Sequence, residues 1–253
     1  MSLRPTERFS TRVENYVRYR PSYPEAVLRL LQTECGLNPS ATVADIGSGT
    51  GISTAMLLRS GATVVAIEPN KEMRAAAEEL LRGEANFRSV DASAEATTLL
   101  DHSVDLIVAG QAFHWFDHER ARTEFKRILK PAGQVALMWN DRLTKGTKFL
   151  EGYEAILQRY SPDYKDVQHK NLSVEVLRGF FRQGAMKVAV FENSQFLDYP
   201  SLAGRVLSSS YAPEAGQPGH EEMMVALEQL FEETQEAGQV AFLYETQVYY
   251  GGL

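Results

Sequence analysis

Val43-Ala44-Asp45-Ile46-Gly47-Ser48-Gly49-Thr50-Gly51, with Glu68 standing 21 positions after Gly47, decides how this chain is read. The first four residues read as a buried strand. Three glycines then break that strand into a turn, and a helix opens at Ile52. Glycines remove side chains, so a ligand can lie against the main chain and meet the N–H groups of the helix start. Residues 63–67, Thr-Val-Val-Ala-Ile, form the next strand, and Glu68 follows it. An acidic side chain about 20 residues beyond the first glycine is where an α/β sheet holds the two hydroxyls of a ribose. The pattern is that of a nucleoside site.

The glycine spacing separates the candidate nucleosides. A dinucleotide fingerprint runs G-x-G-x-x-G and cradles a pyrophosphate. Here Gly47, Gly49 and Gly51 give G-x-G-x-G, and Asp45 stands two residues before the first glycine. A carboxylate repels a pyrophosphate but suits an ammonium group. S-Adenosylmethionine combines adenosine, a sulfonium and a methionine tail ending in ammonium and carboxylate, which makes it the expected cofactor. Two readings stand beside it: a glycine-rich strand–helix turn with no ligand, and a nicotinamide site.

The length of 253 residues suits one well-buried domain with insertions, or a domain and a small cap. A hydrophobic content of 44 % and a net charge of −7 are ordinary for a soluble globular protein. That acidity speaks against nucleic acid, which needs a clustered excess of Lys and Arg. Arg4, Arg8, Arg12, Arg18 and Arg20 are basic but scattered among acids and aromatics. The single cysteine, Cys35, leaves no internal disulfide or thiolate metal cluster. The N-terminus lacks the apolar core of a signal peptide, and no run reaches membrane-spanning length. The expectation is a soluble cytoplasmic enzyme, monomer or homodimer, with a small-molecule acceptor and neither nucleic acid nor membrane as partner.

Periodicity extends the strand–helix alternation. Residues 8–18 read as an amphipathic helix carrying Phe9, Val13, Tyr16 and Val17, and a second helix starts at Ser22 with Glu25 three residues on, a capping-box pattern. Strands are expected at 41–45, 63–67, 86–90, 104–109 and 134–139, with helices at about 51–60, from Asn70 through Leu81, and from Asp117 to Leu129. Pro131-Ala132-Gly133 is read as the turn into the fifth strand. After Trp139 the alternation gives way to helices at 145–160, 172–182, 200–210 and 219–236, and strands at 185–197 and 239–250. The expected fold is α/β: a Rossmann-like, doubly wound, mostly parallel seven-stranded sheet with an antiparallel last strand and helical cap insertions. Ligands on such sheets bind at the carboxyl ends of the strands.

Further candidates fall at those ends. Asp91, followed by Ala92, ends the third strand, where a carboxylate can accept the exocyclic amine of adenine; a helix cap is the plain alternative. Met73 flanks the base or packs in the core. Gln111-Ala112-Phe113-His114-Trp115-Phe116-Asp117 follows the fourth strand, and His114 is a candidate general base or a packed histidine. His114 and His118 have metal-pair spacing, but no further ligand set accompanies them, and no metal is expected. Methyl transfer asks mainly for alignment of a nucleophile and exclusion of water; a base is needed only when the acceptor is protonated.

With these residues placed, the chain resembles the class I S-adenosylmethionine-dependent methyltransferases of the type-11 domain kind, and within them the trans-aconitate methyltransferase-like proteins. Asp45 to Gly51 resemble motif I, Glu68-Pro69-Asn70 the acidic ribose clamp, and Asp91 to Glu95 the adenine-side motif. Gln111 to Phe116 are similar to the motif whose first residues touch the methionine part of the cofactor. Leu129-Lys130-Pro131-Ala132-Gly133 resembles the turn before the fifth strand, with Ala132 in place of a glycine. The resemblance implies that residues 1–36 form a helical lid, 37–140 the cofactor-binding core, and 141–253 the cap helices and the rest of the sheet. It implies that Tyr19 and Arg20 approach the methionine carboxylate or the acceptor, and that Trp115, Trp139, Arg142 and Tyr211 line an acceptor pocket. For Arg20, Arg142 and Arg205 a surface salt bridge is the alternative; for Trp115, Trp139 and Tyr211 it is a place in the core. The implied activity is methyl transfer to a small acceptor, such as an organic acid through a carboxylate oxygen. An NAD(P)-dependent oxidoreductase and a non-catalytic cofactor-binding protein remain the other readings.

Overall fold

The structure, a computed structural model, describes residues 13–161, 164, 173–209 and 211–253. The first residues of the expected helix 8–18, Phe9 among them, lie outside the described residues, as do Arg4, Arg8, Arg12 and Ser210.

Seven strands form one sheet in the order β3-β2-β1-β4-β5-β7-β6. They are β1 (Thr42–Ile46), β2 (Thr63–Ile67), β3 (Phe87–Val90), β4 (Val104–Gly110), β5 (Leu129–Arg142), β6 (Lys187–Leu197) and β7 (Val240–Gly251). β1 pairs in parallel with both β2 and β4, β4 with β5, and β2 with β3. β7 runs antiparallel between β5 and β6, so the last strand of the chain is wedged beside the edge and β6 is the edge itself. The helices are α1 (Val13–Tyr19), α2 (Glu25–Glu34), α3 (Ile52–Leu58), α4 (Lys71–Leu80), α5 (His118–Ile128), α6 (Lys148–Tyr160), α7 (Val174–Phe180), α8 (Tyr199–Leu207) and α9 (His220–Thr234).

The alternation of apolar side chains along the central strands explains the layers. Val43, Leu106 and Val108 project to the side of α2 and α3, where they meet Val27, Leu31, Met56 and Leu57. Their neighbours Ala44, Ile46, Ile107 and Ala109 project to the other side, toward Phe125 of α5 and Phe180 of α7. Fully burying side chains of this size contributes about 1.5–3 kcal/mol each. A third cluster joins α6, α8 and α9 through Leu150, Tyr153, Leu202, Val206, Met223 and Leu227 to Phe242 and Tyr244 of β7. The β6–β7 pair runs beyond the end of β5, since Leu197 pairs with Val240 while β5 ends opposite Tyr244. That projecting ribbon carries the third cluster at the carboxyl ends of the strands.

Two local expectations fail for physical reasons. Ser22 does not cap α2: the helix begins at Glu25 after Pro24, with no side-chain cap. The Ser22 carbonyl is instead held by the side-chain amides of Asn140 (3.3 Å) and Asn193 (2.8 Å), and Glu25 pairs with Arg59. Pro131-Ala132-Gly133 does not precede β5 but lies within it. Val104 pairs with Leu129 and Leu106 with Gln134, so the extra residues bulge out of one continuous strand. Asn70 and Asp117 do cap their helices, accepting from the amides of Met73 and Arg120.

Candidate active site

β1 stands between β2 and β4, where successive crossovers leave on opposite sides, and the cleft opens at its carboxyl end. The loop after β1 is held by its own amides. Gly47 N–H and Ser48 N–H both donate to the Ile67 carbonyl at 2.8 and 3.1 Å, and Gly51 N–H donates to Ser48 at 3.0 Å. Gly49 N–H donates to Glu68 Oε2 at 2.9 Å, while Glu68 Oε1 takes the Asn70 amide at 2.8 Å. The expectation that these N–H groups face a ligand is therefore not met at positions 47–49 and 51. The loop presents bare backbone, with the donors of Gly47 and Ser48 spent on β2, that of Gly49 on Glu68 and that of Gly51 on Ser48. A pyrophosphate, which needs such donors, finds few of them here.

Gly47 is where the turn cannot carry a side chain. Its φ is +67°, and a Cβ would stand 2.6 Å from that of Ala112. Gly51, at φ +89°, begins α3 and packs against Leu81 and Ala77 rather than facing the cleft.

Two chambers flank this loop. The larger, about 240 Å³, is walled by Gly47, Gly49, Glu68, Pro69, Asn70, Met73, Ser93, Ala94, Glu95, Gly110, Gln111, Ala112, Trp115 and Phe116. The smaller, about 50 Å³, shares Gly47, Gly49, Gly110 and Gln111 and adds Arg20, Pro21, Tyr23, Ser48, Thr50, Ile52 and Ser53. Apolar walls with a few placed polar groups are what a small ligand with an aromatic base requires. Glu68 is 8 % exposed, and burial raises its pKa against the Asn70 and Gly49 hydrogen bonds that lower it. Each carboxylate oxygen keeps a lone pair beyond its single backbone donor.

Gln111 stands at the junction of the chambers with φ +58°, a conformation costing a non-glycine residue about 1–3 kcal/mol. Its amide bonds the Met138 carbonyl at 2.8 Å and its side chain the Asn140 carbonyl at 3.1 Å. The strained residue thus sits at the end of β4, held by two bonds to β5.

Asp45 lies behind the smaller chamber and not on its wall. One oxygen takes the hydroxyls of Ser53 (2.7 Å) and Thr54 (2.6 Å); the other is buried with no partner among the described residues. Burial pushes its pKa up to about 6, with those two hydroxyl bonds opposing. An orphaned buried carboxylate oxygen beside this chamber fits a ligand with a cationic end.

The remaining candidates divide. Pro69 and Met73 wall the larger chamber, as does Trp115. Asp91 does not: it is exposed and paired with Arg74 at 2.8 Å, and Ser93, Ala94 and Glu95 of the same segment take the wall instead, with Ala92 buried in the core. His114 lines neither chamber; its ring lies 4.7 Å from that of Trp115. His118 stacks on Phe113 at 4.4 Å with its Nε2 3.2 Å from the Phe113 carbonyl. Trp139 is buried against Phe113 and Tyr249 in the core. Arg142 and Tyr211 belong to the cap, Arg142 paired with Glu154 and Tyr211 edge-on to Tyr164 at 5.0 Å. Tyr19 packs on Gly204 of α8, so close that a Cβ there would meet its ring at 2.0 Å. Tyr23 is a wall residue that the sequence did not single out as a site residue. Its hydroxyl would stand 2.5 Å from a Cβ at Gly110, so it fits only over a glycine and then walls the smaller chamber.

Residues 44–137 match the methyltransferase domain family. An uncharacterised methyltransferase of Schizosaccharomyces pombe is 37 % identical over 138 residues, 53 % of this chain and 53 % of that protein, so the match spans about half of that relative's length. A methyltransferase-like protein of the same yeast is 29 % identical over 249 residues, 95 % of this chain and 93 % of its own. Among solved structures, a candidate type II methyltransferase from Anaeromyxobacter dehalogenans has the same fold, with TM-score 0.65 and 21 % identity over 92 % of this chain and 98 % of that one. Residues 44–137 thus carry a methyltransferase domain, and the sheet around them has the fold of a solved methyltransferase.

Proposed function

We propose that this chain transfers a methyl group to a small-molecule acceptor, an organic acid, and works as a cytoplasmic enzyme. The observation that carries the proposal is the placement of Glu68 on the wall of the larger chamber beside the bare backbone of Gly47 and Gly49. S-Adenosylmethionine, when bound, supplies an electrophilic methyl on a sulfonium. Glu68 would accept from the ribose hydroxyls, and Pro69, Met73, Ala94 and Phe116 would enclose the base. Arg20 and Tyr23 would hold the methionine end in the smaller chamber, with the charge of Asp45 behind it. The spent amides of the loop disfavour a nicotinamide dinucleotide.

The small size of the acceptor is supported by the cap. A chain of net charge −7, with α6, α8 and α9 clustered at the strand ends, offers little for a polyanion. No helix among the described residues is long and apolar enough to cross a membrane. Acceptor alignment and exclusion of water supply most of the expected rate, so no obligatory base is assigned. The test is formation of S-adenosylhomocysteine across a panel of small carboxylic acids, phenols and amines. Turnover with acids supports the proposal. Cofactor binding with no turnover on any acceptor would make the chain a binding protein, and thermal stabilisation by NAD(P) alone would overturn the cofactor site.

A further inference from the structure

The cap contains a buried charge with no counter-charge among the described residues. Arg205, in the last turn of α8, is 6 % exposed. Its Nε donates to the Tyr244 hydroxyl and a terminal nitrogen to Ser209 Oγ, both at 3.4 Å, and its guanidinium carbon lies 5.6 Å from the centre of the Phe242 ring. The neutral phenols of Tyr244, Tyr153 and Tyr211 surround it, and no carboxylate pairs with it among the described residues. Among the described residues, two long bonds to neutral oxygens leave most of its five N–H donors and its charge unanswered. Arg142 in the same cluster is different. It is closed off by Glu154 and by Tyr164, whose hydroxyl is 2.8 Å away and also bonds Glu154 at 2.7 Å.

The location connects this charge to the cleft. Arg20, on the wall of the smaller chamber, donates to Ser208 Oγ at 3.1 Å and to the Ser208 carbonyl at 3.0 Å. It also reaches Ser209 Oγ at 3.5 Å, the same hydroxyl that Arg205 uses. Arg205 therefore stands one hydroxyl behind a residue of the chamber wall.

We infer that Arg205, with the hydroxyls of Tyr244 and Ser209, receives a carboxylate of the acceptor, anchoring it in the cap while another part of the molecule faces the cofactor cleft. One unanswered guanidinium matches one negative charge, which favours a carboxylate over a dianionic phosphate, and the planar fork of arginine fits its two oxygens. The anchoring carboxylate is not the atom methylated, so the acceptor carries a second nucleophile. The inference rests on the methyltransferase reading.

The experiment uses the full chain and a series of C3–C6 mono-, di- and tricarboxylic acids, each matched with its neutral amide. Turnover to S-adenosylhomocysteine is measured, with S-adenosylhomocysteine affinity measured in parallel by calorimetry. The expected result is turnover of one or more acids and none of their neutral counterparts. In Arg205→Gln the KM for that acid should rise on the order of 100-fold, with cofactor affinity within about threefold of the starting protein. Arg205→Lys, which keeps the charge and loses the fork, should fall between the two, and it serves if the glutamine variant does not fold. An unchanged KM in the variants, or amides used as well as acids, overturns the inference. So does a chain that binds cofactor yet turns over no acid in the series. Absence of cofactor binding in the unsubstituted chain would instead overturn the reading beneath it.

Discussion

Replacing Asp45 by Asn removes a charge that the fold holds at a cost, and the size of that cost follows from its surroundings. Burial pushes the Asp45 pKa from 3.8 up to about 6, against the hydroxyls of Ser53 and Thr54. A carboxyl raised in the folded state binds its proton more tightly there than in the unfolded chain. Its stabilising contribution is therefore complete below about pH 4 and is lost as pH rises through about 6. Roughly two pKa units correspond to about 3 kcal/mol. Asn keeps an acceptor for both hydroxyls and cannot ionise, but puts an NH₂ group where the unpartnered oxygen stood, costing about 1–3 kcal/mol at every pH. The variant should thus be the less stable protein at pH 4 and should gain about 3 kcal/mol on the unsubstituted chain by pH 7. Urea unfolding of both proteins without cofactor, at half-unit steps across that window, measures the difference directly. A difference that stays flat within about 1 kcal/mol would refute the assignment of a strained, ionising Asp45. The same charge is available to a cationic ligand behind Ser53, so S-adenosylhomocysteine affinity should fall as pH drops through about 6 in the unsubstituted chain and not in the variant.

Gly47→Ala should destabilise the protein by about 1–3 kcal/mol and weaken cofactor binding, because a Cβ at φ +67° would be driven against Ala112. Thermal unfolding and calorimetry check both, and a variant indistinguishable in both would mean the turn is not built as described. His114→Ala should leave cofactor affinity within about twofold and lower turnover by less than tenfold, since a general base contributes on the order of 10²–10⁴-fold. A larger fall in kcat with affinity intact would restore His114 as the base. Tyr23→Phe should weaken cofactor binding without lowering the melting temperature by more than a few degrees, as a residue of the smaller chamber's wall would; equal loss of both would mark it as packing only.

The sheet was legible because its signals are local. Val104 to Ala109 alternates between two buried faces, so it has to be a central strand, and Asn70 and Asp117 announce their helices by side chains that satisfy the first turn. Ser22 misled because Asn140 and Asn193, more than 100 residues away in the chain, hold its carbonyl where a cap geometry would have placed it otherwise. Spacing pointed to Glu68 as an acid at the end of β2 facing the cleft, but not to its task of tying the Gly49 amide to β2. That task takes the Gly49 donor away from any ligand. Asp91 illustrates the limit of motif reading: Arg74 on α4 lies within reach and draws its carboxylate outward, leaving the next residues of the segment to form the wall. Tyr23 and Arg205 could not be placed from spacing alone. Their surroundings depend on what the folded chain brings beside them, a glycine for one and no acid among the described residues for the other.

Calorimetric titration of S-adenosylhomocysteine into the unsubstituted chain and into Glu68→Ala, with folding of both verified by circular dichroism, tests the cofactor cleft most directly. One site per chain is expected, weakened about 10–100-fold in the variant by loss of charge-assisted hydrogen bonds. No heat with the folded unsubstituted protein, or the same affinity in both, would contradict the placement of the adenosine beside Glu68.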